Sequence, residues 1–335
     1  MTSKLYCKRA VLLAVVLLAC PAVTMANQPV AVNSTTTNTS ESSTTINVNQ
    51  NIVKVSGRLS LGLLSVEANE SVYDTNGTNK ASHLIWESDN VAMLGFGGSI
   101  TPVHWLKLNA DFKINVSEGS STMDDYDWFI TGADWTHWSH HEDTDVDSLT
   151  MFDINAEFTM MGKDQTRLYG VVGYKQDTFE WSAYGGTYVY SVNGFRDSTG
   201  SFPDGEKGIS YEQTYKTPYL GLGFEMDVNP VTFAARFTYS PAVDLETVDN
   251  HYQRNLEFTD DFESGDMFGL DIAVAYALTT NLKLAGSLHY LSYDEVKGST
   301  NVKDTVSGYT VHYDGDVAGS DNSSTLIAAT LIYEL

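Results

Sequence analysis

Apolar and polar residues alternate along most of the chain from Val53 onwards. One segment has apolar or small residues at every second position: Leu106, Leu108, Ala110, Phe112 and Ile114. Charged and amide side chains fill the positions between them. The last residues repeat the pattern at Ile327, Ala329, Leu331, Tyr333 and Leu335. A period of two residues predicts β-strands with one apolar and one polar face.

The lengths of the strands and of their connections distinguish between kinds of β protein. The alternating segments run about ten residues, the length a tilted strand needs to cross a bilayer. Very short connections, such as 101–104 and 162–165, alternate with loops of roughly 15 to 30 residues, as in outer-membrane barrels. We therefore predict an all-β fold, a ten-stranded antiparallel transmembrane β-barrel with long extracellular loops and short periplasmic turns. The predicted strands cover residues 52–68, 82–99, 105–116, 147–160, 166–180, 210–227, 231–245, 266–278, 281–293 and 323–335.

The N-terminal residues have a different composition from the rest of the chain. Basic residues precede an apolar run from Ala10 to Ala19, which predicts a signal peptide over residues 1–26. Cys20 leaves a lipoprotein anchor as an alternative. Residues 27–51 are rich in Ser, Thr and Asn and predict a flexible segment. Residues 52–335 would form the barrel domain. Both cysteines of the chain lie in residues 1–26, so the barrel has no cysteine nucleophile.

The chain is strongly acidic, with 43 Asp and Glu against 19 Lys and Arg and a net charge of −24. Residues 1–26 carry three of the basic residues and no acidic one, so residues 27–335 have a net charge of −27. This excess excludes nucleic acid as a partner and favours cationic ligands. No segment after residue 26 has the run of about 18 apolar residues of a transmembrane helix.

Two groups of ionisable residues lie where strands should meet long loops. Asp125 and Asp127 are two residues apart, so their carboxylates would share one side of a strand and could share a proton. A solvated acidic loop is the alternative. Asp249 has the spacing to orient His251 as a general base. Rival histidines, which could also indicate a metal site, lie close together in the sequence: His137, His140 and His141.

Three segments between the two groups of ionisable residues have a distinctive order of residues: 185–191 (GGTYVYS), 194–197 (GFRD) and 200–206 (GSFPDGE). On these segments the chain resembles the omptin family of outer-membrane proteases, and the similarity extends over nearly the whole predicted barrel. The resemblance implies a cell-surface endopeptidase, without metal or cofactor, that cleaves beside basic residues. The implied catalytic residues are the Asp125–Asp127 couple and the Asp249–His251 dyad, which together would activate a water molecule.

The resemblance also implies substrate and lipid contacts, some of which are altered here. Glu70, Met123 and Ile209 match residues of the substrate pockets. The second acidic position of the arginine pocket is Thr247, with Glu246 beside it. Members of the family bind lipopolysaccharide on the outer wall and need it for activity. In that site Tyr174 is retained, but three positions are altered: Gln176, Thr178 and Thr214. Arg167 or Lys216 could bind the lipid instead. We expect a monomer. The alternative function is a non-enzymatic barrel, either an adhesin or a narrow pore.

Overall fold

The computed structural model describes residues 53–130, 132–163 and 165–335. The predicted signal peptide and the whole predicted N-terminal segment lie outside these ranges, so both stay predictions. Within the described ranges, no helix is long and apolar enough to cross a membrane. The helical structure there is a single 3₁₀ turn at Tyr252–Arg254.

The described chain folds almost entirely into antiparallel β-strands. The strands are β1 (Lys54–Tyr73), β2 (Lys80–Val103), β3 (Leu106–Asn115), β4 (Ser120–Asp127), β5 (His137–His141), β6 (Asp143–Lys163), β7 (Thr166–Tyr184), β8 (Thr187–Tyr190), β9 (Ser198–Ser201), β10 (Lys207–Val228), β11 (Val231–His251), β12 (Leu256–Phe262), β13 (Gly265–Ala277), β14 (Leu282–Asp304) and β15 (Thr310–Glu334).

These strands pair into a closed ring of ten barrel strands. Strand β1 closes the ring because it pairs with β2 along one edge and with β15 along the other. Seven barrel strands are continuous: β1, β2, β7, β10, β11, β14 and β15. Three are interrupted and consist of β3 with β4, β5 with β6, and β12 with β13. The hairpin β8–β9 lies outside the ring and pairs with β5. The predicted ten-stranded antiparallel barrel is confirmed.

Several strands extend well beyond their predicted ends on the side of the long loops. Residues 294–322, predicted as a loop, mostly belong to β14 and β15, and residues 116–146 contain β4 and β5. In these extensions the outer face meets water instead of lipid, so polar residues occupy both faces. The alternation that reveals a membrane strand is lost there, although the backbone pairing continues.

The barrel wall is apolar outside and polar inside at the level of the membrane. Exposed apolar side chains form a belt that includes Leu59, Leu61, Phe96, Leu108, Phe112, Ile154, Val172, Leu222, Phe237, Leu270 and Leu288. Inside, Arg58 binds Asp111 at 2.8 Å and Arg236 binds Asp271 at 2.7 Å. The belt faces lipid, and the closed ring satisfies the backbone hydrogen bonds that lipid cannot.

Above the belt, large side chains fill the barrel and close it. Trp86 stacks on Trp181 with ring centroids 6.1 Å apart, and on Tyr211 at 6.0 Å. Phe179 and Met123 are fully buried in the same cluster. Each fully buried side chain of this size stabilises the fold by roughly 1.5–3 kcal/mol. This core provides a rigid floor for the cleft that opens above it.

Candidate active site

The strand extensions enclose one cleft with a volume of about 360 Å³ on the side of the long loops. The four predicted catalytic residues all line it: Asp125 and Asp127 from β4, and Asp249 and His251 from β11. Of the predicted substrate contacts, Glu70 and Ile209 also line the cleft. Met123 is fully buried, with 0% of its surface exposed. It supports the floor of the cleft and does not form part of its wall.

The Asp125–Asp127 couple lies on one face of β4, as its spacing predicts. The Ser82 hydroxyl, on the neighbouring strand β2, donates a hydrogen bond of 3.3 Å to Asp125 Oδ1. Burial, together with the charge of Asp127, raises the pKa of Asp125 to about 7. Burial also raises the pKa of Asp127. The couple can therefore hold a proton near neutral pH, and that proton can be donated to a substrate oxygen.

The Asp249–His251 dyad is formed at the end of β11. His251 Nε2 lies 2.7 Å from Asp249 Oδ2, and only 2% of the Asp249 surface is exposed. Burial alone would lower the pKa of His251, but the charge and hydrogen bond of Asp249 outweigh it and raise the pKa. The ring also packs edge-on against Phe258. With Nε2 directed to Asp249, Nδ1 is the nitrogen that can accept a proton.

The rival histidines lie in different surroundings. His140 Nδ1 is 2.9 Å from Asp124 Oδ1, but Asp124 occupies the face of β4 opposite to Asp125 and Asp127. His137 packs against Tyr190 at 4.8 Å. His141 lines the cleft, where it contacts the Ser139 hydroxyl at 3.1 Å and has a pKa lowered by burial.

The three histidines do not converge on one point. Within residues 53–130, 132–163 and 165–335, no group of three or more His, Cys, Asp or Glu side chains is arranged to hold a metal ion.

The predicted basic-residue pocket contains a buried acid with an unsatisfied oxygen. Only 6% of the Glu70 surface is exposed, and Oε2 has no hydrogen-bond partner among the described residues. Burial raises the pKa of Glu70 well above its usual range, and the charges of Asp249 and Asp260 add to the effect. Glu246 does not take the place of an acid at position 247, because its side chain points outward and pairs with Lys216 at 2.5 Å.

Sequence reasoning missed several residues around the cleft. Gln253 and Arg254 from the 3₁₀ turn, Phe129 from the loop after β4, and Tyr190 from β8 all line it. Asp260, on β12, lies beside Thr247 across the β11–β12 pairing. Tyr190 belongs to the 185–191 segment, but that segment gives it no role in a cleft. The other residues belong to no spaced motif, so only strand register and loop packing bring them to the site.

The residues considered for the lipid site on the outer wall do not form a cluster of free basic side chains. Thr178 and Thr214 face each other across β7 and β10, with their hydroxyl oxygens 3.1 Å apart. Arg167, considered as a replacement for the missing arginines, is at the short-turn end and pairs inside the barrel with Glu157. Its position excludes it from an outer-wall site near the loops. Lys216, the other candidate for the lipid contact, forms an ion pair with Glu246.

Comparison with known proteins identifies the family. The sequence model of the Omptin family matches residues 51–335. The plasminogen activator of Yersinia pestis is 34% identical over 275 residues, which cover 82% of this chain and 87% of that protein. The outer membrane protease OmpP of Escherichia coli is 31% identical, with 84% and 90% covered. The crystal structure of the outer membrane protease OmpT from Escherichia coli superposes with a TM-score of 0.80 at 26% identity, covering 84% of this chain and 97% of OmpT. The chain therefore belongs to the Omptin family and is an outer-membrane protease that acts at the cell surface.

Proposed function

We propose that this protease hydrolyses peptide bonds beside basic residues, with a water molecule activated between the Asp249–His251 dyad and the Asp125–Asp127 couple. The observation that carries the proposal is the 2.7 Å contact of His251 with Asp249 in the same cleft as the two aspartates of β4. A base and a protonated acid couple facing one cleft suit the attack of water on a carbonyl.

The proposed reaction has two proton transfers through His251. As the water oxygen attacks the carbonyl carbon, His251 Nδ1 takes the proton of the water, and Asp249 stabilises the resulting imidazolium. The proton held by Asp125 and Asp127 forms a hydrogen bond to the developing oxyanion. When the intermediate collapses, His251 gives its proton to the leaving amine nitrogen. The carbon–nitrogen bond breaks, and the enzyme returns to its starting protonation state.

The charge of the protein supports a preference for basic substrates. The net charge of −24 attracts cationic peptides, and Glu70 provides a buried carboxylate in the cleft. We expect the refolded protein to cut a fluorogenic peptide with two adjacent arginines and to leave the matched peptide with two alanines intact. Mass spectrometry of the products would locate the cut. Equal cleavage of both peptides would contradict the basic preference, and cleavage of neither would contradict the proposed chemistry.

We also propose that lipopolysaccharide is the activating lipid, although the outer wall carries Thr178 and Thr214 where the family has arginines. Protein refolded in detergent should gain peptidase activity when lipopolysaccharide is added. Lipid A without the sugar core should act similarly if the contact is with the phosphorylated disaccharide. The shift in gel migration on heating would verify that the barrel is folded in both samples. If the folded protein is equally active with and without lipopolysaccharide, its activity does not depend on the lipid.

A further inference from the structure

Thr247 lies beside an acid that comes from another strand. Thr247 pairs in register with Asp260, and its hydroxyl donates a hydrogen bond of 2.8 Å to Asp260 Oδ2. Directly paired residues of neighbouring strands point to the same side of a sheet. Because Thr247 is buried on the inner side of β11, Asp260 also points into the barrel. A carboxylate is thus present one strand away from the position where the sequence lacks one.

Asp260 is close enough to Glu70 for the two acids to influence each other. The charge of Asp260 helps to raise the pKa of Glu70, and burial raises the pKa of Asp260 itself to about 6. The ion pairs formed by the described residues include neither acid. Burying carboxylates without a cation costs free energy. A cation between the two acids would offset the desolvation cost and the repulsion between their charges.

The neighbouring acids do not fit this role. Glu246 is outward and paired with Lys216, and Asp261 is exposed and alternates with Asp260 on β12. Asp249 is engaged with His251 at 2.7 Å. Among Glu246, Asp249, Asp260 and Asp261, Asp260 is the acid whose side chain points into the barrel and accepts a hydrogen bond from a neutral hydroxyl.

We propose that Asp260, held by Thr247, is the second carboxylate of the pocket for the basic substrate side chain. A guanidinium entering between Glu70 and Asp260 would donate hydrogen bonds to both. The planar group with five donors suits two separate acids better than the ammonium of lysine does. Arginine would then be preferred over lysine despite Thr247. This inference rests on the proposed function, and it names a residue that determines the specificity of that reaction.

The test compares a peptide containing arginine with the same peptide containing citrulline, which keeps the shape and removes the charge. We expect Asp260→Asn to lower kcat/KM for the arginine peptide by about 30-fold, as for the loss of one charge-assisted hydrogen bond. The loss should appear mainly in KM, because a binding contact is removed. Cleavage of the citrulline peptide should hardly change. Asp261→Asn, the same substitution one residue further on the exposed face, should leave both peptides unaffected.

A folded Asp260→Asn variant with the wild-type ratio of arginine to citrulline cleavage would overturn the proposal. If that variant does not refold, the exchange Thr247→Asp with Asp260→Thr replaces it, since the carboxylate then remains in the pocket. The exchange variant should keep its preference for arginine, and a folded exchange variant without that preference would overturn the proposal.

Failure of the proposed function would give a different result. If the wild type cuts no peptide, the affinity for p-aminobenzamidine, an arginine-like amidine, can be compared by fluorescence in the wild type and in Asp260→Asn. Weaker binding by the variant would support the pocket although the protease chemistry had failed. Equal binding would overturn the pocket as well.

Discussion

Replacing His251 by alanine should lower kcat/KM for a dibasic peptide by about 1,000-fold, because a positioned general base contributes roughly 10²–10⁴-fold. This corresponds to about 4 kcal/mol of transition-state stabilisation. His251 is bonded to Asp249 at 2.7 Å and lines the cleft, so its removal takes away the group that would accept the proton of water. The residual rate would come from binding and from the aspartate couple. The measurement is steady-state cleavage of the fluorogenic peptide in the presence of lipopolysaccharide.

The matched control is His140→Ala. His140 also contacts an aspartate, with Nδ1 2.9 Å from Asp124 Oδ1, but this pair lies on the face of β4 that points away from the couple. We expect nearly wild-type activity from this variant. A shift in gel migration between unheated and heated samples would verify that both variants form folded barrels. Full activity of His251→Ala, or equal losses in the two variants, would show that the dyad is not the base.

The membrane part of the fold could be predicted from the sequence because lipid imposes a strict pattern. Strand β3 was predicted at 105–116 and extends over Leu106–Asn115. Where lipid ends, the pattern ends as well, and β15 begins at Thr310 although its prediction began at 323. The extension from 310 to 322 has water on its outer side and polar residues on its inner side, such as Ser320 and Asn322. Backbone hydrogen bonds hold such strands together, and these bonds do not require the alternation of apolar and polar residues from which strands are predicted.

The site was predictable as two local pairs but not as one constellation. Asp125 and Asp127, and likewise Asp249 and His251, are two residues apart, and residues with this spacing share a face of a strand. Their meeting in one cleft depends on ring closure and on the register of every intervening strand. The resemblance to the omptin family provided that information. Asp260 was missed because its proximity to Thr247 depends on a turn between β11 and β12 that has no strong sequence signature.

The pH dependence of cleavage gives a second large effect, through the Asp125–Asp127 couple. His251 must be neutral to accept a proton, and its pKa is raised, so activity should rise as the pH increases through that value. The couple must retain its proton, and the pKa of Asp125 is about 7, so activity should fall as the pH increases further. The profile of kcat/KM should therefore be a narrow bell near neutral pH.

Asp125→Asn should remove the alkaline side of that bell. The amide can still donate a hydrogen bond to the oxyanion but cannot lose a proton, so the fall at alkaline pH should disappear. Asp125 already carries its proton on the ascending side of the bell, so replacing it by the neutral amide should leave the pH of that rise nearly unchanged. The maximal kcat/KM should drop by about 100-fold, as for one impaired oxyanion donor. Asp124→Asn, a change on the opposite face where the side chain accepts a hydrogen bond from Trp138, should leave the profile unchanged. A wild-type alkaline limb in Asp125→Asn would mean that another group holds the proton, and the couple would then have no acid role.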